Sequence, residues 1–140
     1  MSYTDWTLVE IRPTAGGQKG LFARAALEPG TVIGAYDGRA TTVPVRDGRL
    51  ALDDTPWQHA DLIQLAHLGD RALVLAPIGA FDGIDFANHS CRPNAEVVRG
   101  VVLATTRAIA GGEEITWDYR SSDVLPEGIA CWCDPPRCII

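Results

Sequence analysis

A strand-rich domain with short helical pieces is the fold this sequence predicts, and two observations carry that reading. Fourteen glycines and nine prolines in 140 residues break the chain into short, often β-branched runs. Few uninterrupted segments are long enough for a helix. Hydrophobic residues make up 46% of the chain, enough for one globular core, and the length suits a single domain. No apolar run approaches a membrane-spanning length.

The elements follow in order. Leu8 to Arg12 reads as a strand with apolar residues at 9 and 11, and 13–19 as a loop containing Gly16-Gly17. Gly20 to Ala23 starts a second strand. Glu28-Pro29-Gly30 is a turn, and Thr31 to Tyr36 is a strand ending before Asp37-Gly38. Glu96 to Thr106 reads as a hairpin turning at Arg99-Gly100. Ala110-Gly111-Gly112 is a further turn, with a short strand at Ile115-Thr116-Trp117. The middle supports two readings. Thr55 as N-cap with Gln58 in a capping box would start a helix whose face is Leu62, Ile63, Leu65 and Ala66. The same stretch could pair as a strand with Arg71–Ala76 through 67–70. Periodicity does not choose between them.

A net charge of −6 and a pI near 4.9 argue against a nucleic-acid surface. They favour a basic partner, such as a Lys/Arg-rich peptide. The basic residues are eleven arginines and one lysine, Lys19, a bias that fits a GC-rich genome. The N-terminus has no basic region followed by an apolar run, so no secretory signal is expected. An intracellular protein follows, in a bacterial cytoplasm or a eukaryotic nucleus.

Four cysteines complete the local picture. Cys131, Cys133 and Cys138 cluster near the C-terminus, and Cys91 stands alone in Asn88-His89-Ser90-Cys91-Arg92-Pro93-Asn94. Four thiolates can close a structural zinc site and would pin the tail onto the Asn-His-Ser segment. Buried apolar cysteines or disulfides are the other readings. A Cys-x-Cys pair closes too short a loop for an easy disulfide.

Four segments then occur in a fixed order: Lys19-Gly20-Leu21-Phe22-Ala23; Tyr36-Asp37-Gly38; Asn88-His89-Ser90-Cys91-Arg92-Pro93-Asn94; and Gly112-Glu113-Glu114-Ile115-Thr116-Trp117-Asp118-Tyr119. A Cys-x-Cys-x4-Cys tail follows them. The set closely resembles the SET-domain protein lysine methyltransferases that carry a post-SET zinc segment, over about Leu8 to Cys138. The resemblance implies small curved β-sheets around a C-terminal pseudoknot. It divides the chain into a SET domain, residues 1–120, and a post-SET segment, residues 121–140. It also implies S-adenosylmethionine as methyl donor, a protein lysine as acceptor and one structural zinc ion on Cys91, Cys131, Cys133 and Cys138.

By the same resemblance the backbone of Lys19, Gly20 and Leu21 receives the methionine part of the cofactor. Asn88 and His89 bind the cofactor, and Tyr119 and Tyr36 line the methyl-transfer channel. Trp132 packs over the adenine or covers the zinc. Trp117, where Phe or Tyr is usual, tunes how many methyl groups are added. Glu113 and Glu114 follow a Gly-Gly turn and read as solvated charges. Asp53, Asp54, Asp61 and Asp70 make the middle acidic; by the resemblance this region lines a peptide groove, and a solvated acidic face is the other reading of each. His59 and His67 carry no motif. The chain departs from the family pattern at Gln18, where glycine is usual, and at Asp85, where arginine is common. A catalytically silent domain and a zinc-stapled interaction module are the rival readings, separated by whether the protein binds and turns over S-adenosylmethionine.

Overall fold

The computed structural model describes residues 2–125 and is built from twelve short strands. In chain order they are β1 (Tyr3–Thr4), β2 (Val9–Pro13), β3 (Lys19–Ala23), β4 (Val32–Ala35), β5 (Arg39–Arg46) and β6 (Arg49–Leu50), then β7 (Ile63–Leu68), β8 (Arg71–Ala76), β9 (Asn88–His89), β10 (Ala95–Val98), β11 (Val102–Thr105) and β12 (Glu114–Trp117). They form three four-stranded sheets, ordered β1-β4-β11-β10, β2-β3-β12-β9 and β6-β5-β8-β7. The helical pieces are single 3-10 turns, among them His59–Asp61, Gly83–Phe86 and Tyr119–Ser122. This is the β-rich fold with short helical pieces that the sequence predicts. No helix among the described residues is long and apolar enough to cross a membrane.

The predicted hairpin over 96–106 forms, with Ala95↔Thr105 through Val98↔Val102 paired. Arg99 and Gly100 both take positive φ, 53° and 79°, the mirror-image turn that matches strand twist. The ambiguous middle resolves as the strand reading: β7 and β8 pair antiparallel, with a register shift between Gln64 and Ala66. Alternation explains the outcome. Ala72, Val74 and Ala76 of β8 are buried, and β8 is also paired to β5 on its other edge. Gln58, not Thr55, caps the local 3-10 turn, its N–H donating to the Asp61 carboxylate at 2.7 Å. Of the helix reading only this single turn, His59–Asp61, remains.

Two apolar clusters hold the sheets together. The larger joins Val9, Leu21, Ile33, Ile84, Leu103, Ile109, Ile115 and Trp117; the smaller joins Val43, Leu62, Ala72, Val74 and Ala76. Fully burying each aliphatic side chain contributes about 1.5–3 kcal/mol over leaving it exposed. One close approach requires glycine. A Cβ on Gly34 would run into the Tyr3 carbonyl where β1 pairs with β4.

The second sheet positions the site. β12 pairs antiparallel with β3 (Glu114↔Phe22, Ile115↔Leu21) and parallel with β9 (Thr116↔Asn88, Trp117↔His89). Three distant segments thus meet side by side: the Lys19–Leu21 strand, Asn88-His89 and Glu114–Trp117. Loops leading from them converge on one cleft.

Candidate active site

The Lys19 end of β3 is entered through a tight loop. Gly16 and Gly17 take φ of 81° and 78°, and Thr14 N–H donates to the Gln18 carbonyl at 2.7 Å. The glycine freedom displaced from position 18 is thus supplied one and two residues earlier. Gln18 itself lines the cleft. Leu21 is wholly buried in the core, with no part of it exposed. Lys19 is exposed, its Nζ 5.9 Å from the centre of the Phe86 ring. Gly20 is buried, and a Cβ there would lie 2.5 Å from Glu114 Oε2 and 3.2 Å from Asn88 Nδ2. Glycine suits position 20 because three side chains, those of Thr14, Asn88 and Glu114, close over it.

Asn88 bridges these segments. Its Nδ2 donates to the Lys19 carbonyl at 3.0 Å and to Glu114 Oε2 at 2.9 Å. Glu113 accepts from Ala110 N–H, Arg107 Nη2 and Asn94 Nδ2. The Arg107 guanidinium, chiefly, holds the Glu113 carboxyl below the usual carboxylate range. Glu113 and Glu114 are therefore bonded into the fold, which corrects the expectation that both are merely solvated charges. Asp85 has a similar local duty. It accepts from Asp82 N–H at 3.0 Å in a reciprocal cap of the 83–86 turn. Burial raises its pKa, and the neighbouring Asp37 adds to the rise.

His89 is buried and bridges Tyr119 and Cys91. Its Nδ1 accepts from Tyr119 N–H at 3.1 Å, and its Nε2 lies 3.6 Å from Cys91 Sγ. An Nδ1 that accepts leaves the ring proton of the neutral form on Nε2, facing the sulfur. Arg120 Nη2 donates to the same sulfur at 3.3 Å and to Asp118 at 2.8 Å. Burial would raise the Asp118 carboxyl, but hydrogen bonds from Arg120 outweigh it and the net shift is downward. The sulfur thus faces donors from both His89 and Arg120. Among the described residues no three metal-ligating side chains cluster. Cys131, Trp132, Cys133 and Cys138 lie outside the described residues.

Beyond β12 an aromatic group forms the floor of the cleft. Trp117 is 5% exposed and lies between Tyr119, at 4.7 Å between ring centres, and Tyr36, at 6.1 Å. The Tyr119 hydroxyl donates to the Ala87 carbonyl at 2.6 Å, and the Tyr36 hydroxyl to the Ile84 carbonyl at 3.0 Å. Burial raises both phenols above their ordinary value of 10.0, Glu114 adding to Tyr119 and the two tyrosines coupling at Tyr36. The Trp117 Nε1–H sits near enough to the Tyr36 hydroxyl to oppose that rise. It nonetheless makes no hydrogen bond of ordinary geometry among the described residues.

The cleft has a volume of about 420 Å³. Around that floor stand four carboxylates, Asp37, Asp61, Asp85 and Asp123, with His59 and the half-exposed Phe81. No lysine or arginine lines it among the described residues. Of the acidic residues singled out in sequence, Asp61 reaches the cleft, while Asp53, Asp54 and Asp70 are exposed elsewhere. His67 is also exposed and bonds locally, to the Gly69 carbonyl. Sequence reasoning missed Asp37 and Asp123 as cleft residues. Asp37 directly follows Tyr36, a neighbourhood that could have flagged it. Asp123 had no local signal. It is brought in by buried Gln64 of β7, which donates to it at 2.8 Å.

Three small sheets, with Asn88-His89 laid parallel to the strand that leads into Tyr119, define a SET domain. The SET domain family model matches residues 18–120, and the chain belongs to that family. Over 141 aligned residues it is 37% identical to the histone-lysine N-methyltransferase ash1 of Drosophila melanogaster, covering 93% of this chain and 6% of that protein. It is 29% identical over 126 residues to the histone-lysine N-methyltransferase ATX2 of Arabidopsis thaliana, covering 85% and 11%. A Saccharomyces cerevisiae relative, named histone-lysine N-methyltransferase, H3 lysine-36 specific, is 41% identical over 61 residues, 39% of this chain and 8% of that one. The chain thus spans about a tenth or less of these relatives. Residues before 18, outside the family match, still belong to the fold, because β2 pairs with β3 along its whole length.

Proposed function

We propose that this chain is a protein-lysine N-methyltransferase that uses S-adenosylmethionine and acts on a lysine in a basic segment. One observation carries the reading: two buried tyrosine hydroxyls flank Trp117 at the floor of an acid-rimmed cleft free of cationic side chains among the described residues. The relatives' names support the reaction class and a histone as one candidate substrate. A histone or other protein lysine implies an intracellular place of action, nuclear in a eukaryote and cytoplasmic in a bacterium.

The described residues fit the methyl donor that the reading requires, and Cys91 offers one sulfur to a zinc ion. For the methyl donor, the Lys19–Leu21 backbone, Asn88 and His89 form the binding side, and Asn88 keeps its Oδ1 open while its Nδ2 is engaged. When bound, S-adenosylmethionine supplies an electrophilic methyl on a positively charged sulfur. A zinc ion would be held by Cys91 with Cys131, Cys133 and Cys138, the last three outside the described residues, and would supply the structural tie of a post-SET segment, residues 121–140, in which Trp132 would serve the cofactor or the metal.

The chain's own residues then have distinct tasks. The aspartates draw in a cationic side chain. The aromatic floor strips water from the amine and lowers its pKa toward the neutral nucleophile. Tyr36 and Tyr119 spend their protons on main-chain carbonyls, so toward an incoming amine their oxygens act as acceptors that aim the lone pair. Positioning of this kind can contribute roughly 7–11 kcal/mol in favourable cases. The reading is tested by incubating the protein with S-adenosylmethionine bearing a labelled methyl and a histone mixture or proteome digest. Label on lysine is expected, and binding without transfer to any lysine would leave a silent domain.

Acid–base behaviour follows from the phenols. A free lysine has a pKa of about 10.4, so the rate should climb with pH as amine becomes neutral. Tyr36 and Tyr119 are raised above their ordinary 10.0, so they stay protonated across that climb. The pH–rate profile should therefore rise and level without a tyrosine-linked fall up to about pH 10. A decline beginning near pH 8, in step with phenolate absorbance, would contradict these roles.

Trp117 should limit the methylation number. An indole already packed between two tyrosines leaves little room for added methyls, and overpacking costs roughly 1–3 kcal/mol. The unmodified protein should give mainly mono- or dimethyl-lysine, and Trp117→Phe should shift products upward. Early trimethylation by the unmodified protein, read by mass spectrometry, would refute this.

A further inference from the structure

Glu114 lies outside the residues assigned above to cofactor or channel, yet its carboxylate sits where three cofactor-side segments meet. It is on β12, with its Oε2 2.9 Å from Asn88 Nδ2 and packed over the bare Cα of Gly20. Asn88 Nδ2 has two hydrogens, and both are taken, one by Glu114 and one by the Lys19 carbonyl. Both partners are pure acceptors, so the amide cannot be turned over without facing oxygen against oxygen twice. Oδ1 is left pointing the other way. It accepts no hydrogen bond among the described residues, and Asn88 lines the cleft.

We infer that Glu114 is a positioning residue for the methyl donor: it locks the Asn88 amide so that Oδ1 is presented as an acceptor to the donor's ammonium group. The inference rests on the reading of Asn88 as a cofactor residue. In the amino-acid part of S-adenosylmethionine the ammonium is the hydrogen-bond donor, and an oriented acceptor is what it requires. Without Glu114 the Lys19 carbonyl alone would hold the amide, and a flipped Asn88 would offer an N–H to that cation, an unfavourable pairing of donor with donor. Gly20 belongs to the same device, since any Cβ there would push the carboxylate off the amide.

The test is calorimetric titration of S-adenosylmethionine, and separately of S-adenosylhomocysteine, which keeps the ammonium and lacks the charged sulfur. Glu114→Ala should weaken both ligands by about tenfold or more, the effect of losing one charge-assisted hydrogen bond. Glu114→Gln keeps an acceptor at the right reach and should stay within about threefold of the unmodified protein. Glu114→Asp keeps the charge but falls short of Asn88, and should weaken binding as alanine does. That variant also carries the test if the alanine protein does not fold. The double variant Glu114→Ala/Asn88→Ala should bind no worse than Asn88→Ala alone, because Glu114 acts through Asn88. Normal binding by Glu114→Ala, a glutamine variant as weak as alanine, or additive losses in the double variant would each overturn the inference while leaving the cofactor reading standing. Normal binding by Asn88→Ala would overturn the cofactor reading and this inference with it.

Discussion

Tyr119→Phe should lower kcat by about a hundredfold or more while S-adenosylmethionine affinity stays within a few-fold. The scale is that of removing one preorganised polar group from a reaction centre. Phenylalanine keeps the ring against Trp117 and His89, whose ring centres lie 4.7 and 5.5 Å away, so the floor of the cleft stays packed. What is lost is the oxygen that is anchored to the Ala87 carbonyl and offered to the amine. Leaving that buried carbonyl without its donor costs about 1–3 kcal/mol of stability, which a thermal unfolding curve would register separately. Asn88→Ala should show the opposite emphasis, with cofactor affinity damaged first. Measuring kcat under saturation beside a calorimetric Kd separates the two. Equal loss of affinity in both variants would show that the division of roles is wrong.

Removing zinc should have a second large effect. Elemental analysis is expected to find one zinc ion per chain. Cys91→Ser, or treatment with a chelator, should release it and lower thermal stability and activity together. Metal binding to an otherwise unformed site contributes folding free energy directly. Cys91 sits within reach of His89 and Arg120, so a disturbed sulfur also disturbs the residue that bonds Tyr119 N–H. Freshly prepared, active protein without metal would sink the proposal.

The sequence and the structure part company in instructive places. The 95–105 hairpin was legible because alternation and the Arg99-Gly100 turn both act over a few residues. β5 was missed, although Thr41-Thr42-Val43 is β-branched and Asp47-Gly48 is a hairpin signal. Pro44 lacks a ladder donor, which counts against a strand there. The structure tolerates it because the neighbouring Val45 N–H is satisfied by the Asp70 carbonyl, and Pro44 accepts from Ala51. The 62–76 segment stayed open between helix and strand until β5 offered β8 a partner. Glu114 looked like a solvated charge because its partner, Asn88, is invisible from its own neighbourhood.

By itself, the sequence determined the β-rich class, most turns and the motif residues, since each depends on the preferences of a few adjacent residues. Tertiary structure alone decided that Asn88-His89 lies parallel to Thr116-Trp117, that Glu114 holds Asn88 over Gly20, and that Gln64 brings Asp123 to the cleft. The physical reason is range. A two-residue strand or a single carboxylate carries no periodicity of its own, and its partner is chosen by the packing of distant segments around a shared core, where buried polar groups must find acceptors or donors wherever the chain brings them.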